Sequence, residues 1–188
     1  MSKRGRKAYD DSWMYILLLT TLTILLYSLS TYVFKIKGVS LSYSVIGLPL
    51  ELFIANYITK KYNYAKTVTA ISISGVSMIL FILIMNFALG KPTILSAMSG
   101  EFCGYVISQF ANLMIYYFIL QNTSFKPILI FLSYIFSLIA FYMVYTLINL
   151  NVVITDSYWN AYFISLLIQA IICIILTIID TKLIKRGR

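Results

Sequence analysis

Six long stretches of this 188-residue chain carry almost no charge, and this limits its fold more than any other feature. Ser12 to Phe34, Thr67 to Gly90, Phe102 to Phe125, Pro127 to Thr155 and Ser157 to Ile179 contain no Asp, Glu, Lys or Arg, and Val39 to Thr59 contains only Glu51. A charge at the centre of a bilayer costs about 2.5–3.5 kcal/mol on the insertion scale, and a spanning helix needs roughly 20 apolar residues. Each stretch meets that length. The pattern predicts spans at about 12–34, 39–59, 67–89, 94–120, 127–149 and 159–181. The fourth starts after Pro92 and takes in Glu101, and Asn149, Asn151 and Thr155 read as loop. The expected fold class is all-α: a polytopic membrane protein, one integral membrane domain over residues 1–188, built as a compact bundle of six transmembrane helices.

Composition excludes the soluble alternatives. The chain is 61% hydrophobic and 11% charged, against about 45–50% and about 25% in a soluble domain. A soluble protein of this size buries only about 70% of its unfolded surface, too little to hide so much apolar side chain. A soluble enzyme, a disordered chain and a nucleic-acid-binding domain are therefore excluded, and the lipid bilayer is the expected solvent. Cys103 and Cys173 lie in apolar runs, so no disulfide framework is expected. The absence of histidine removes the commonest general base and the HExxH zinc sites. With no P-loop motif either, neither an enzyme nor a bound cofactor is expected. The first run follows Lys3, Arg4, Arg6 and Lys7 as a signal peptide would, but its apolar stretch exceeds the usual 7–15 residues and no A-x-A-like site follows. It reads as a retained helix.

The net charge of +9 orients the protein. Six spans put Lys3, Arg4, Arg6, Lys7, Lys60, Lys61, Lys66, Lys126, Lys182, Lys185, Arg186 and Arg188 on one side, and Lys35, Lys37 and Lys91 on the other. Twelve against three is a strong positive-inside bias. The expected location is the bacterial cytoplasmic (inner) membrane, multi-pass, with both termini cytoplasmic. The basic side meets anionic headgroups, with no nucleic-acid partner. Sixteen tyrosines against two tryptophans suit membrane interfaces or a polar cavity.

Ionisable residues inside a span are functional candidates by default. Glu51 and Glu101 are two, and no Lys or Arg lies within any span to pair with them. Each must be protonated, hydrogen-bonded by neighbours, or facing water or a ligand. Glu51 follows Gly47-Leu48-Pro49-Leu50, and Pro49 removes a backbone donor, so the second helix is expected to be kinked or broken near Gly47–Pro49. Broken helices commonly line substrate cavities. Glu101, Tyr105, Ser108 and Asn112 fall at spacings of four, three and four, on one helical face, with Gln109 beside them. The plainer reading of this stripe is an interhelical packing seam. Asn86, Gln169 and Thr177 read as interhelical hydrogen-bonding residues, and Asp180 as a carboxylate that snorkels or pairs at the cytoplasmic end beside Lys182.

These residues bring in a resemblance. The stretch Leu48-Pro49-Leu50-Glu51-Leu52-Phe53-Ile54-Ala55-Asn56-Tyr57-Ile58-Thr59-Lys60-Lys61-Tyr62-Asn63 resembles the P-L-x-F-x-x-x-D-x-x-x-E-x-Y-G signature of the VUT family, small six-helix membrane proteins associated with uptake of queuosine precursors, the 7-deazaguanine bases. The proline, the aromatic-rich run and Tyr62 fall in register. The family's aspartate falls on Asn56, its glutamate on Lys60 and its glycine on Asn63. Ile107-Ser108-Gln109-Phe110-Ala111-Asn112 is similar to the family's fourth-span S-Q-x-x-D, with Asn112 in place of aspartate. The last span lacks the family's Thr-Pro. The resemblance implies a transporter of a small polar, aromatic solute, with Glu51, Glu101, Tyr105, Ser108, Gln109, Asn112 and Asn56 as the substrate-binding set. Glu51 and Glu101 would supply acids that the signature positions lack.

Two alternatives stand beside it. One is the substrate-binding subunit of an energy-coupling-factor-type vitamin transporter, whose usual alanine pair in the first span is absent here. The other is a non-transporting assembly or structural subunit, whose polar stripe docks a partner. Expected partners are the lipid bilayer, a small-molecule substrate, and a second copy or an energising complex. Transport predicts that Glu51 and Glu101 meet in one cavity; docking predicts that Glu101 faces outward.

Overall fold

A computed structural model of the chain describes residues 11–30, 32–36, 39–89, 93–121, 127–149 and 156–186. Its elements are α1 (Ser12–Ser30), β1 (Val33–Ile36), β2 (Val39–Ser42), α2 (Ser44–Lys61), α3 (Tyr64–Leu89), α4 (Thr93–Gln121), α5 (Pro127–Ile148) and α6 (Asp156–Arg186). The expected basic N-terminal cluster Lys3, Arg4, Arg6 and Lys7, and the loop residues Asn151 and Thr155, lie outside the described residues.

Five helices, α1, α3, α4, α5 and α6, are long and apolar enough to cross a membrane. Their outer faces display large apolar side chains, among them Leu17 of α1, Ile84 and Phe87 of α3, Phe118 of α4, Met143 of α5 and Leu167 of α6. Contiguous apolar surface on this scale is unstable against water and matched by lipid. The chain is a polytopic membrane protein with an all-α bundle of six helices.

The sixth helix, α2, is shorter and carries Glu51, Lys60 and Lys61. It contacts every other helix of the bundle. Val45, Leu48, Glu51, Leu52, Ala55, Asn56, Ile58 and Thr59 are all buried, spread around the helix. On one side Leu48 and Leu52 pack with Tyr116, Ile130, Tyr134, Leu138, Cys173 and Leu176 of α4, α5 and α6. On the other, Ile58 packs with Ile16, Leu19 and Ala70 of α1 and α3. Most of its circumference faces protein, while Ile46, Leu50, Phe53 and Tyr57 form a partly exposed stripe; the enclosed side tolerates polar residues that lipid would penalise.

The first connection differs from the sequence expectation. The first helix ends at Ser30 rather than near residue 34, and the second begins at Ser44 rather than near residue 39. Between them β1 and β2 pair antiparallel, with Val33 opposite Ser42 and Ile36 opposite Val39. Tyr32-Val33-Phe34 is β-branched and aromatic, which favours strand over helix once the chain leaves the bundle. The second strand packs on α6.

The helix α2 runs without a break through Gly47 and Pro49. Pro49 is its sixth residue, and the one backbone bond it forfeits, to the Val45 carbonyl, lies in the first two turns. Gly47 serves packing: a Cβ there would overlap the Leu26 side chain of α1.

Candidate functional site

A cavity of about 180 Å³ opens in the half of the bundle that carries the hairpin. That is about a dozen times the ~10–15 Å³ that admits one water. Every helix contributes: Thr23, Leu26 and Tyr27 from α1; Val45, Leu48 and Glu51 from α2; Met78 from α3; Glu101 and Tyr105 from α4; Phe141, Tyr142 and Tyr145 from α5; Ala161, Tyr162, Ser165 and Gln169 from α6. Ser40, Leu41 and Ser42 of β2 close one side. Its walls are mostly apolar and aromatic, with the two carboxyls of Glu51 and Glu101 among them.

Glu51 is 4% exposed, and its Oε1 makes no hydrogen bond among the described residues. Thr23 is the side chain that reaches its carboxyl. Thr23 Oγ1 donates to the Leu19 carbonyl at 2.9 Å and lies 3.4 Å from the Tyr105 hydroxyl. Ser74 of α3 bonds the same tyrosine hydroxyl at 2.5 Å. Tyr105 is thus pinned by α1 and α3 at the cavity wall. Glu101 is half-buried at the cavity wall and acts electrostatically on Tyr27. Close packing of α4 on α5 supports this wall, because a Cβ at Gly104 would lie 3.0 Å from the Phe141 carbonyl oxygen.

The remaining candidates lie deeper, outside the cavity lining. Ser108 is buried and spends its hydroxyl on the Tyr105 carbonyl at 2.8 Å, a bond within its own helix. Gln109 is fully buried, and neither amide atom makes a hydrogen bond among the described residues. Asn112 donates to Asn56 Oδ1 at 2.7 Å and lies 3.4 Å from the Leu52 carbonyl, joining α4 to α2. So the seven candidates separate into Glu51, Glu101 and Tyr105 at the cavity, and Asn56, Ser108, Gln109 and Asn112 below it.

The sequence reading missed one group. Asp180 does not snorkel; it turns inward and is 1% exposed. Tyr116 of α4 donates to its Oδ1 at 2.9 Å, and Tyr134 of α5 to its Oδ2 at 3.5 Å. The signal was the spacing of Ser165, Gln169, Cys173, Thr177 and Asp180, at four, four, four and three, which sets one buried face on α6. The neighbouring Lys182 drew attention to the interface instead.

No family model matches the chain, and neither a curated protein nor a solved structure matches it.

Proposed function

We propose that the protein is a small-solute transporter of the bacterial cytoplasmic membrane, with both termini cytoplasmic, and that its solute is a queuosine precursor, a 7-deazaguanine base. The observation that carries this reading is that Glu51 of α2 and Glu101 of α4 line one cavity, together with Tyr105. A guanine-like base presents adjacent N–H donors on its Watson–Crick edge, and one carboxylate accepts both as a charge-assisted pair. The apolar walls and the rings of Phe141, Tyr142 and Tyr145 suit the heterocycle's faces. A docking seam would turn Glu101 toward lipid or a partner; its place at the cavity favours solute binding.

A second observation supports the VUT resemblance. Asn56 and Asn112 occupy the two positions where that family's signatures carry aspartate, and they are hydrogen-bonded to each other. Two motifs about as far apart as α2 and α4 therefore meet at one point. The function is binding and passage of the solute, with no catalysed reaction.

The test is uptake of a labelled 7-deazaguanine base by cells that cannot make their own. Expression of the wild-type chain should raise uptake, and Glu51→Gln and Glu101→Gln should abolish most of that gain. Full uptake in both variants would remove the site assignment. No uptake by a correctly inserted wild type would remove the solute.

A further inference from the structure

Below the cavity the bundle encloses a second ionisable centre. Asp180 sits at the inner end of α6, held by the hydroxyls of Tyr116 and Tyr134. Lys60 of α2 acts on it electrostatically, and Cys173 of its own helix lies near Tyr134. Among the described residues these are the titratable groups that face it from α2, α4, α5 and α6. Both tyrosines point hydrogens at the carboxylate. That geometry holds the ionised carboxylate without a metal cation, which needs oxygen lone pairs directed inward.

A polar seam links this centre to the cavity. Gln169, which lines the cavity, lies eleven residues before Asp180, roughly 16 Å away along the helix. On α4, Tyr105, Gln109, Asn112 and Tyr116 follow at spacings of four, three and four, on one face. Gln169 Oε1, both amide atoms of Gln109, and Asn112 Oδ1 make no hydrogen bond among the described residues, although these side chains are at most 1% exposed. Protein alone does not satisfy these buried amides, and such atoms are ordinarily matched by water. A purely structural aspartate needs its two tyrosines and nothing more. It does not need a line of unmatched amides leading from it to a solute cavity.

We propose that Asp180 is a proton-binding site coupled to the Glu51–Glu101 cavity through this seam, so that solute movement is driven by a proton gradient. The proposal rests on the transport reading above. In the cycle the carboxylate takes one proton to become the neutral acid, and a tyrosine hydroxyl turns to accept from it. Release restores the carboxylate with both tyrosines donating.

The test uses the full chain in liposomes and has two arms. In the first, infrared difference spectra between alkaline and acidic buffer should show the C=O stretch of a protonated carboxyl. One component should vanish in Asp180→Asn, persist in Glu51→Gln and return, shifted, in Asp180→Glu. In the second, a labelled 7-deazaguanine base is followed under an imposed pH gradient. The wild type should accumulate it; Asp180→Asn should lose accumulation yet still exchange internal for external base; Asp180→Glu should recover part of the accumulation. A carboxyl band unaffected by Asp180→Asn, full accumulation by that variant, or wild-type accumulation that follows sodium and ignores pH would each overturn the proposal. A wild type that neither accumulates nor exchanges the base sinks the transport reading. The infrared arm then still decides whether Asp180 titrates, and a missing band overturns the proposal.

Discussion

Asn112 on α4 donates its amide hydrogen to Asn56 Oδ1 on α2 at 2.7 Å, with both side chains fully buried. It ties the central helix to the helix that carries Glu101. Replacing Asn112 by Leu removes the donor and leaves the Asn56 oxygen enclosed and unmatched, a loss of about 1–3 kcal/mol. Denaturant titration in detergent should show that loss. Because the two residues share one bond, Asn56→Ala combined with Asn112→Leu should cost less than the sum of the single changes. Strict additivity would mean that the contact contributes nothing.

The close approach of α4 and α5 at Gly104 gives a steric prediction. A Cβ there meets the Phe141 backbone at 3.0 Å, and backbone cannot swing aside as a side-chain end does. Gly104→Leu should force the two helices apart, costing about 1–3 kcal/mol. Phe141 also lines the cavity, so solute affinity should fall together with thermal stability. A variant of unchanged stability and affinity would show that the two helices are not held this tightly.

Much of the bundle was readable from the positions without charge, because lipid penalises charge wherever it falls in a span. The hairpin was not, because Tyr32-Val33-Phe34 is as apolar as the helix before it, and hydropathy does not separate strand from helix over a few residues. The central place of α2 was only half legible. Its Glu51, Lys60 and Lys61 weaken it as a lipid-facing span, yet Glu51 is enclosed by the neighbouring helices and Lys61 sits at the exposed helix end. At the site, intramembrane carboxylates pointed to Glu51 and Glu101. Helical spacing placed Tyr105, Ser108 and Asn112 on one face, but spacing gives no depth, so the division between cavity and seam emerged only from packing. Asp180 escaped because its neighbour Lys182 offered a simpler partner.

At the helix ends the surface clasp Asp11–Lys61–Tyr62 gives a pH prediction. Lys61 Nζ lies 2.7 Å from Asp11 Oδ2, and Tyr62 donates to Oδ1. The lysine first, and then the tyrosine, hold the Asp11 carboxyl below its ordinary value. A depressed carboxyl contributes stability above its unfolded pKa, near 3.9, and loses it as pH falls through the folded value. Wild type should therefore melt slightly higher than Asp11→Asn at neutral pH, with the gap closing only below about pH 4. The exposed pair makes the gap small. A gap that closes near neutrality would rule out this carboxylate as its source.

The lysine asymmetry gives a topological prediction. Single cysteines placed at Ser2 and at Lys35, in a chain whose Cys103 and Cys173 are replaced by Ala, should react with a membrane-impermeant maleimide from opposite sides. Lys35 should label in intact cells and Ser2 only after lysis. Labelling of Ser2 in intact cells would invert the orientation and place the cavity half on the cytoplasmic face.

Equilibrium binding of a labelled 7-deazaguanine base to the purified chain tests the central claim most directly. Hydrogen bonds to a charged group contribute about 1.5–3 kcal/mol, and each 1.4 kcal/mol is tenfold in affinity. Saturable binding should appear in the wild type, weakened about tenfold or more by Glu51→Gln and by Glu101→Gln, and little changed by the distant surface change Asp11→Asn. Binding that is equally tight in both glutamine variants, or absent from a folded wild type, would contradict a solute site at the two glutamates.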